Sequence, residues 1–154
     1  MPNRNIVVLN TIAKNLIDSQ EGYEQGAKLT HGQAQADTTL PAKSQDLSAR
    51  FQKRAAERQA LIRDIQNQIR TYGERPAEDG MDDGEVRRDF KTFSKLFSKD
   101  ETSALSAIDK GEEDLAETIT ALLKNYSRLT QSTKRLLRQA YKDAKSRQRL
   151  SGLH

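Results

Sequence analysis

The chain has no cysteine and no tryptophan. The first absence excludes disulfides, thiolate metal sites and thiol catalysis. Histidine is scarce. His31 lies in a polar stretch and His154 is the last residue, so a zinc site built on imidazole is not expected. No apolar run reaches membrane-spanning length, and the opening MPNRNIVVLN lacks the apolar stretch of a secretory signal. The expected address is the cytoplasm of a bacterium, with no membrane partner. No stretch alternates apolar and polar residues with period two, so no strands are expected. A Ser/His/Asp set, a phosphate-cradling glycine loop and a paired-carboxylate signature are all missing.

The 154 residues match one ordinary domain, 1–154, long enough to bury a core without staples. The net charge is a mild +4, but it is unevenly spread. Between Arg128 and Arg149 stand Arg128, Lys134, Arg135, Arg138, Lys142, Lys145, Arg147 and Arg149 against Asp143 alone. Such an end suits nucleic acid or an anionic surface. It also suits a solvated helix face, which is the favoured reading because no aromatics interleave to stack on bases. Residues 74–89 and 109–117 are acidic.

Helical periodicity dominates what is there. Leu9, Ile12, Ala13, Leu16, Tyr23 and Ala27 share one face at about 100° per residue. LTHGQAQADTTLP, with Gly32 and Pro41, then reads as a loop. A second helix starts after Pro41 and runs to Tyr72 with the stripe Leu47, Phe51, Ala55, Ile62, Ile65 and Ile69, and Gly73 is placed to stop it. Residues 73–84, with their acids, proline and glycines, read as a mobile acidic linker. A short amphipathic helix follows, carrying Val86, Phe90, Phe93 and Phe97; SKDE ends it, with Ser98 or Asp100 able to cap the next. Ala104, Leu105, Ile108, Leu115, Ile119, Leu122 and Tyr126 mark the third main helix. The last begins near Leu129 and carries Leu136, Ala140, Ala144 and Leu150. The expected fold is all-α: four main helices, with a short extra helix in a long crossover that spans the bundle.

Polar residues inside the apolar stripes are the candidates for a site. On a wheel referenced to Leu9, Gln20 falls near the centre of the first stripe and Glu24 at its edge. Arg54 and Arg58 fall inside the second stripe, Glu112 inside the third, and Asp143 and Arg147 inside the fourth. A lone buried charge costs several kcal/mol, so these groups must pair, reach the bundle ends or bind something. The expected pairs are Arg58 with Glu112, next to Gln20, and Asp143 with Arg147. Gly22 and Gly26 fall opposite the stripe in GxxxG spacing. They read either as the seat of an approaching helix, across a subunit interface, or as an exposed, slightly weakened turn. Phe90, Phe93 and Phe97 are expected to be buried, on the end of their own bundle or against a second subunit.

LNTIAKNLIDSQEGY, FQKRAAERQALIRDIQ and DKGEEDL, in this order and spacing, resemble the bacterial ferritin-like four-helix-bundle family of unknown function, typified by a Pseudomonas hypothetical protein. The matching residues are Asp18, Gly22 and Tyr23, then Phe51, Ala55 and Arg58, then Gly111 and Glu112. The resemblance implies a ferritin-like bundle in a cytoplasmic, often stress-associated protein, without an established activity. Chemistry of the ferritin kind needs a Glu on each of two helices and Glu-x-x-His on the other two. No Glu-x-x-His occurs, and Glu57 is followed three residues on by Ala60. The first-helix ligand position falls on Gln20. The fourth-helix position where a histidine would stand falls on Arg147, a fixed cation.

The leading expectation is therefore a bundle without an intact di-iron site, with no catalytic residue and no cofactor, acting through its surface or as a homodimer. One alternative is a carboxylate metal site of Glu24, Glu112 and Asp143. Another is nucleic-acid binding through the basic last helix, which is not favoured. No small-molecule ligand is indicated.

Overall fold

The computed structural model describes residues 3–36 and 42–146. Its described residues form five helices: α1 Arg4–Ala36, α2 Ala42–Thr71, α3 Glu85–Leu96, α4 Glu101–Asn125 and α5 Gln131–Ser146. Among the described residues there is no strand. Helix α1 runs past the expected loop start to Ala36. Its Thr30 hydroxyl donates to the Gly26 and Ala27 carbonyls at 2.9 and 3.1 Å, which satisfies the buried side chain within the helix.

Local chemistry sets the other ends. α2 stops where Gly73 takes φ +84°, a left-handed conformation that glycine adopts without a Cβ clash. α4 starts at Asp100, whose carboxylate accepts from the Ser103 amide at 3.1 Å.

Side-chain bonds give the chain direction. Ser48 and Arg58 of α2 reach Ala27 and Ser19 of α1, so the two long helices are antiparallel. The connection then climbs back alongside α1: Ala77 lies beside Asn10, Met81 beside Asp18, and Phe90 of α3 beside Gly22. α4 descends, with Glu112 against Tyr23 and its end near Arg4, which donates to Ser127. α5 rises from Asn5, whose side chain accepts from the Thr130 amide at 2.9 Å, to Arg58. α2 and α4 thus run in the same direction, as a crossover spanning the bundle requires. Val8, Leu9, Ile12 and Leu16 of α1, Phe51, Ile62, Ile65 and Ile69 of α2, Ile108, Leu115 and Ile119 of α4, and Leu136 and Leu137 of α5 form one core.

Residues 73–84 carry the composition of a mobile linker, yet they are tied to the bundle. Pro76 is buried. The Ala77 amide donates to Asn10 at 2.9 Å, and Gln66 donates to the Ala77 carbonyl at 3.1 Å. The Met81 amide donates to Asp18 at 3.0 Å, and Arg87 donates to the Met81 carbonyl at 2.9 Å. Asp18 is only 4% exposed. Burial raises its carboxyl, opposed by the Met81 amide and Arg87. The Met81 amide is therefore expected to exchange slowly in native-state hydrogen exchange and to lose that protection in Asp18→Ala. Exchange at the free-peptide rate in the unmodified protein would contradict this docking.

Candidate functional site: a buried charge network at mid-bundle

Four helices converge on one polar cluster. Arg58 of α2 is 1% exposed and Glu112 of α4 is fully buried. The Arg58 Nη2 pairs with Glu112 Oε2. Its Nε donates to Asp143 Oδ2 of α5 at 2.8 Å, and its Nη1 donates to the Ser19 hydroxyl of α1 at 2.9 Å. All three guanidinium nitrogens are thereby engaged. The Ser19 hydroxyl in turn donates a hydrogen bond to the Leu16 carbonyl at 2.7 Å. Tyr23 donates to the other Glu112 oxygen at 2.5 Å and accepts from Arg54 Nη1 at 3.1 Å. The Arg54 and Arg58 guanidinium carbons lie 5.4 and 5.8 Å from the Tyr23 ring centre, within cation–π range.

The network balances two cations, Arg54 and Arg58, against two carboxylates, Glu112 and Asp143. Burial raises the Tyr23 phenol, and the Glu112 charge adds to the effect. Burial alone would lower the Arg58 guanidinium; Glu112, Tyr23 and Asp143 more than offset it, and the net shift is upward. Tyr23 therefore stays neutral and Arg58 stays charged across the ordinary pH range. A guanidinium suits the position because its planar fork serves several oxygens at fixed angles.

The structure redistributes several expected residues. Arg58 and Glu112 are brought together. Asp143, 23% exposed at its side chain, joins Arg58; Arg147, its expected partner, lies outside the described residues. Gln20 is not part of the cluster. It is half-buried on the α1–α2 surface, donating to Glu24 at 3.0 Å and to Gln59. Glu24 is exposed and does not approach Glu112 or Asp143. Among the described residues no three His, Asp or Glu side chains converge as a metal would require.

Two causes displace the α1 residues, a drift of the stripe and the packing of α3. Its inward positions repeat by sevens: Leu9, Leu16, Tyr23 and Thr30, with Ile12, Ser19 and Gly26. A 3.5-residue repeat departs from a straight 100° wheel by about 20° per heptad. By residue 20 the drift is about 30°, which turns Glu24 outward and Ser19 inward and leaves Gln20 at the α1–α2 flank; Gly22 and Gly26 are covered because α3 packs on a further side of α1. The seven-residue spacing from Ile12 is the signal that finds Ser19; Tyr23 already lies on the stripe.

The packing of α3 corrects the reading of the glycines. Gly22 and Gly26 are buried, and the helix that approaches them is α3 of the same chain. Phe90, Phe93 and Phe97 are 3%, 0% and 8% exposed within the single chain. Phe90 meets the Tyr23 ring edge-on at 5.0 Å, Phe93 meets Phe51 at 5.6 Å, and Phe97 meets Phe93 at 5.5 Å. As an expected subunit interface these rings are already spent inside the bundle. On α5, Arg135, Arg138, Lys142 and Lys145 are exposed.

The family model described as a domain of unknown function, DUF2383, matches residues 4–125. The chain belongs to this family. Tyr23, Arg54, Arg58 and Glu112 all lie inside the DUF2383 domain, whereas Asp143 comes from α5, beyond the matched residues. No curated protein and no solved structure matches the chain. No helix among the described residues is long and apolar enough to cross a membrane.

Proposed function

We infer that this DUF2383 protein is a bacterial, cytoplasmic ferritin-like bundle without an intact di-iron site, with a non-catalytic role exercised through its surface or as a homodimer. The observation that carries the reading is Arg58, held at 1% exposure between Glu112 and Asp143. A permanent cation in the space between carboxylates repels a metal ion. It also occupies the lone pairs a metal would need. The long crossover, with α2 and α4 running in the same direction, supports the ferritin-like assignment. The stress association comes from the resemblance alone.

Elemental analysis combined with light scattering on the purified protein tests the reading. The expected result is iron and manganese far below one ion per chain, after incubation with either metal under reducing conditions. The scattering mass separates the two modes, two chains for the homodimer and one for action through the surface. Stoichiometric metal that is lost on Glu112→Gln would overturn the reading, whatever the mass.

A further inference from the structure

Asp89 is the one polar side chain among the buried residues of α3, the others being Val86, Phe90 and Phe93. It is 9% exposed, and its Oδ2 is sealed from solvent without a hydrogen-bond partner. Across the α3–α4 contact stands Asp114, itself buried. Lys110 Nζ lies 2.8 Å from Asp114 Oδ2 and 3.6 Å from Asp89 Oδ1. Ionised carboxylates only accept hydrogen bonds. Two of them facing each other favour holding a proton between them, and one exposed ammonium does not satisfy the inner oxygen.

The seat of α3 makes this pair important. The helix rests on glycines: a Cβ at Gly22 or Gly111 would meet Phe90, and one at Gly26 would meet Phe93. Apart from Phe90 and Phe93 against Tyr23 and Phe51, the charged fastenings of α3 are few. Arg87 reaches Asp18 of α1 at 3.5 Å, with Glu21 next to Asp18. Arg88 reaches Asp83 at 2.6 Å and acts on Asp114. Among the described residues, Asp114 and Lys110, both from α4, act on Asp89 itself.

We propose that α3 is a proton-latched flap over the buried network: one proton held between Asp89 and Asp114 keeps the helix docked, and its release lets α3 leave Tyr23 and the glycine-lined seat. Asp89 carries the proton and donates it to Asp114. Burial raises the Asp89 carboxyl, and the neighbouring Asp114 adds to that against Lys110, pushing it up to about 7. Burial works the same way on Asp114, but the Asp89 and Lys110 donors outweigh it and the net shift is downward. Loss of the proton leaves two buried charges to share one cation, and undocking returns both to water.

The sign follows from linkage. Asp89 is raised in the docked state, so the latch is strongest in acid and weakens as pH rises toward about 7. Native-state hydrogen exchange on the whole protein, corrected for the intrinsic rate, tests this between pH 5 and 8. The opening constant of residues 86–96 is expected to rise about tenfold per pH unit to pH 7 and then level off. At every pH these residues should be less protected than the α2 residues 58–69. In Asp89→Asn, whose amide donates to Asp114 at any pH, the opening constant should be flat. A flat wild-type profile, an unchanged slope in Asp89→Asn, or equal protection of α3 and α2 overturns the flap. Should Asp89→Asn not fold, a carboxyl-carbon NMR titration of the wild type decides. One aspartate titrating near 7 supports the latch, and all aspartates titrating below about 5 overturns it.

Discussion

Arg58→Met is expected to destabilise the protein by about 3–5 kcal/mol, read as a lower urea midpoint of helical circular dichroism. Methionine fills much of the same volume, so the loss is not mainly a cavity. The cost comes from what is left behind. Glu112 is fully buried and would keep Tyr23 as its donor while losing its counter-charge. Asp143, partly exposed, can turn to water, so the penalty concentrates on Glu112. Ser19 loses a donor but keeps its bond to the Leu16 carbonyl. A loss below about 1 kcal/mol would place the pair among ordinary surface ion pairs.

Gly22→Ala is the second large effect, and its sign is informative. In an exposed helical turn alanine would stabilise by about 1 kcal/mol. Here a Cβ at position 22 would lie 2.1 Å from Phe90 Cδ1, 2.4 Å from Cγ and 2.7 Å from Cβ. Rotating the ring relieves only the first of these, because the Phe90 Cβ is fixed to the α3 backbone. The helix must shift, and a net loss of about 2 kcal/mol is expected. Pairing the change with Phe90→Ala should recover part of that loss. A stabilised Gly22→Ala protein would mean that α3 does not sit on α1 as described.

Much of the architecture is legible in the sequence because it rests on local rules. The stripes of Phe51, Ile62 and Ile65, or of Ile108, Leu115 and Ile119, declare their helices by spacing. Gly73 and Asp100 declare ends by backbone freedom and capping. Arg58 and Glu112 can be matched because a charge in the middle of an apolar stripe has few ways to remain there. The illegible parts are those that depend on geometry accumulating over length or on partners remote in sequence. A few degrees per residue, summed from Leu9 to residue 20, bring Ser19 toward the core, and the α3 helix covers Gly22 and Gly26 from a side that the α1 pattern does not announce. The acidic connection has a linker's composition, and nothing within it announces that Asn10 and Asp18 wait on α1. Asp89 and Asp114 are single carboxylates on separate helices; only the close glycine contact between α3 and α4 puts them face to face.

The account rests on Arg58 and Glu112 being one interior unit, and a double-mutant cycle on Arg58→Met and Glu112→Leu, followed by urea unfolding, measures that directly. Arg58→Met should cost about 3–5 kcal/mol by leaving Glu112 without its counter-charge, and Glu112→Leu should cost less, because Arg58 keeps Asp143 and Ser19. The double variant should regain most of the Arg58→Met loss, less about 1 kcal/mol for the Tyr23 hydroxyl left without its acceptor. Small, additive effects would show both side chains reaching solvent and contradict a cation-filled core.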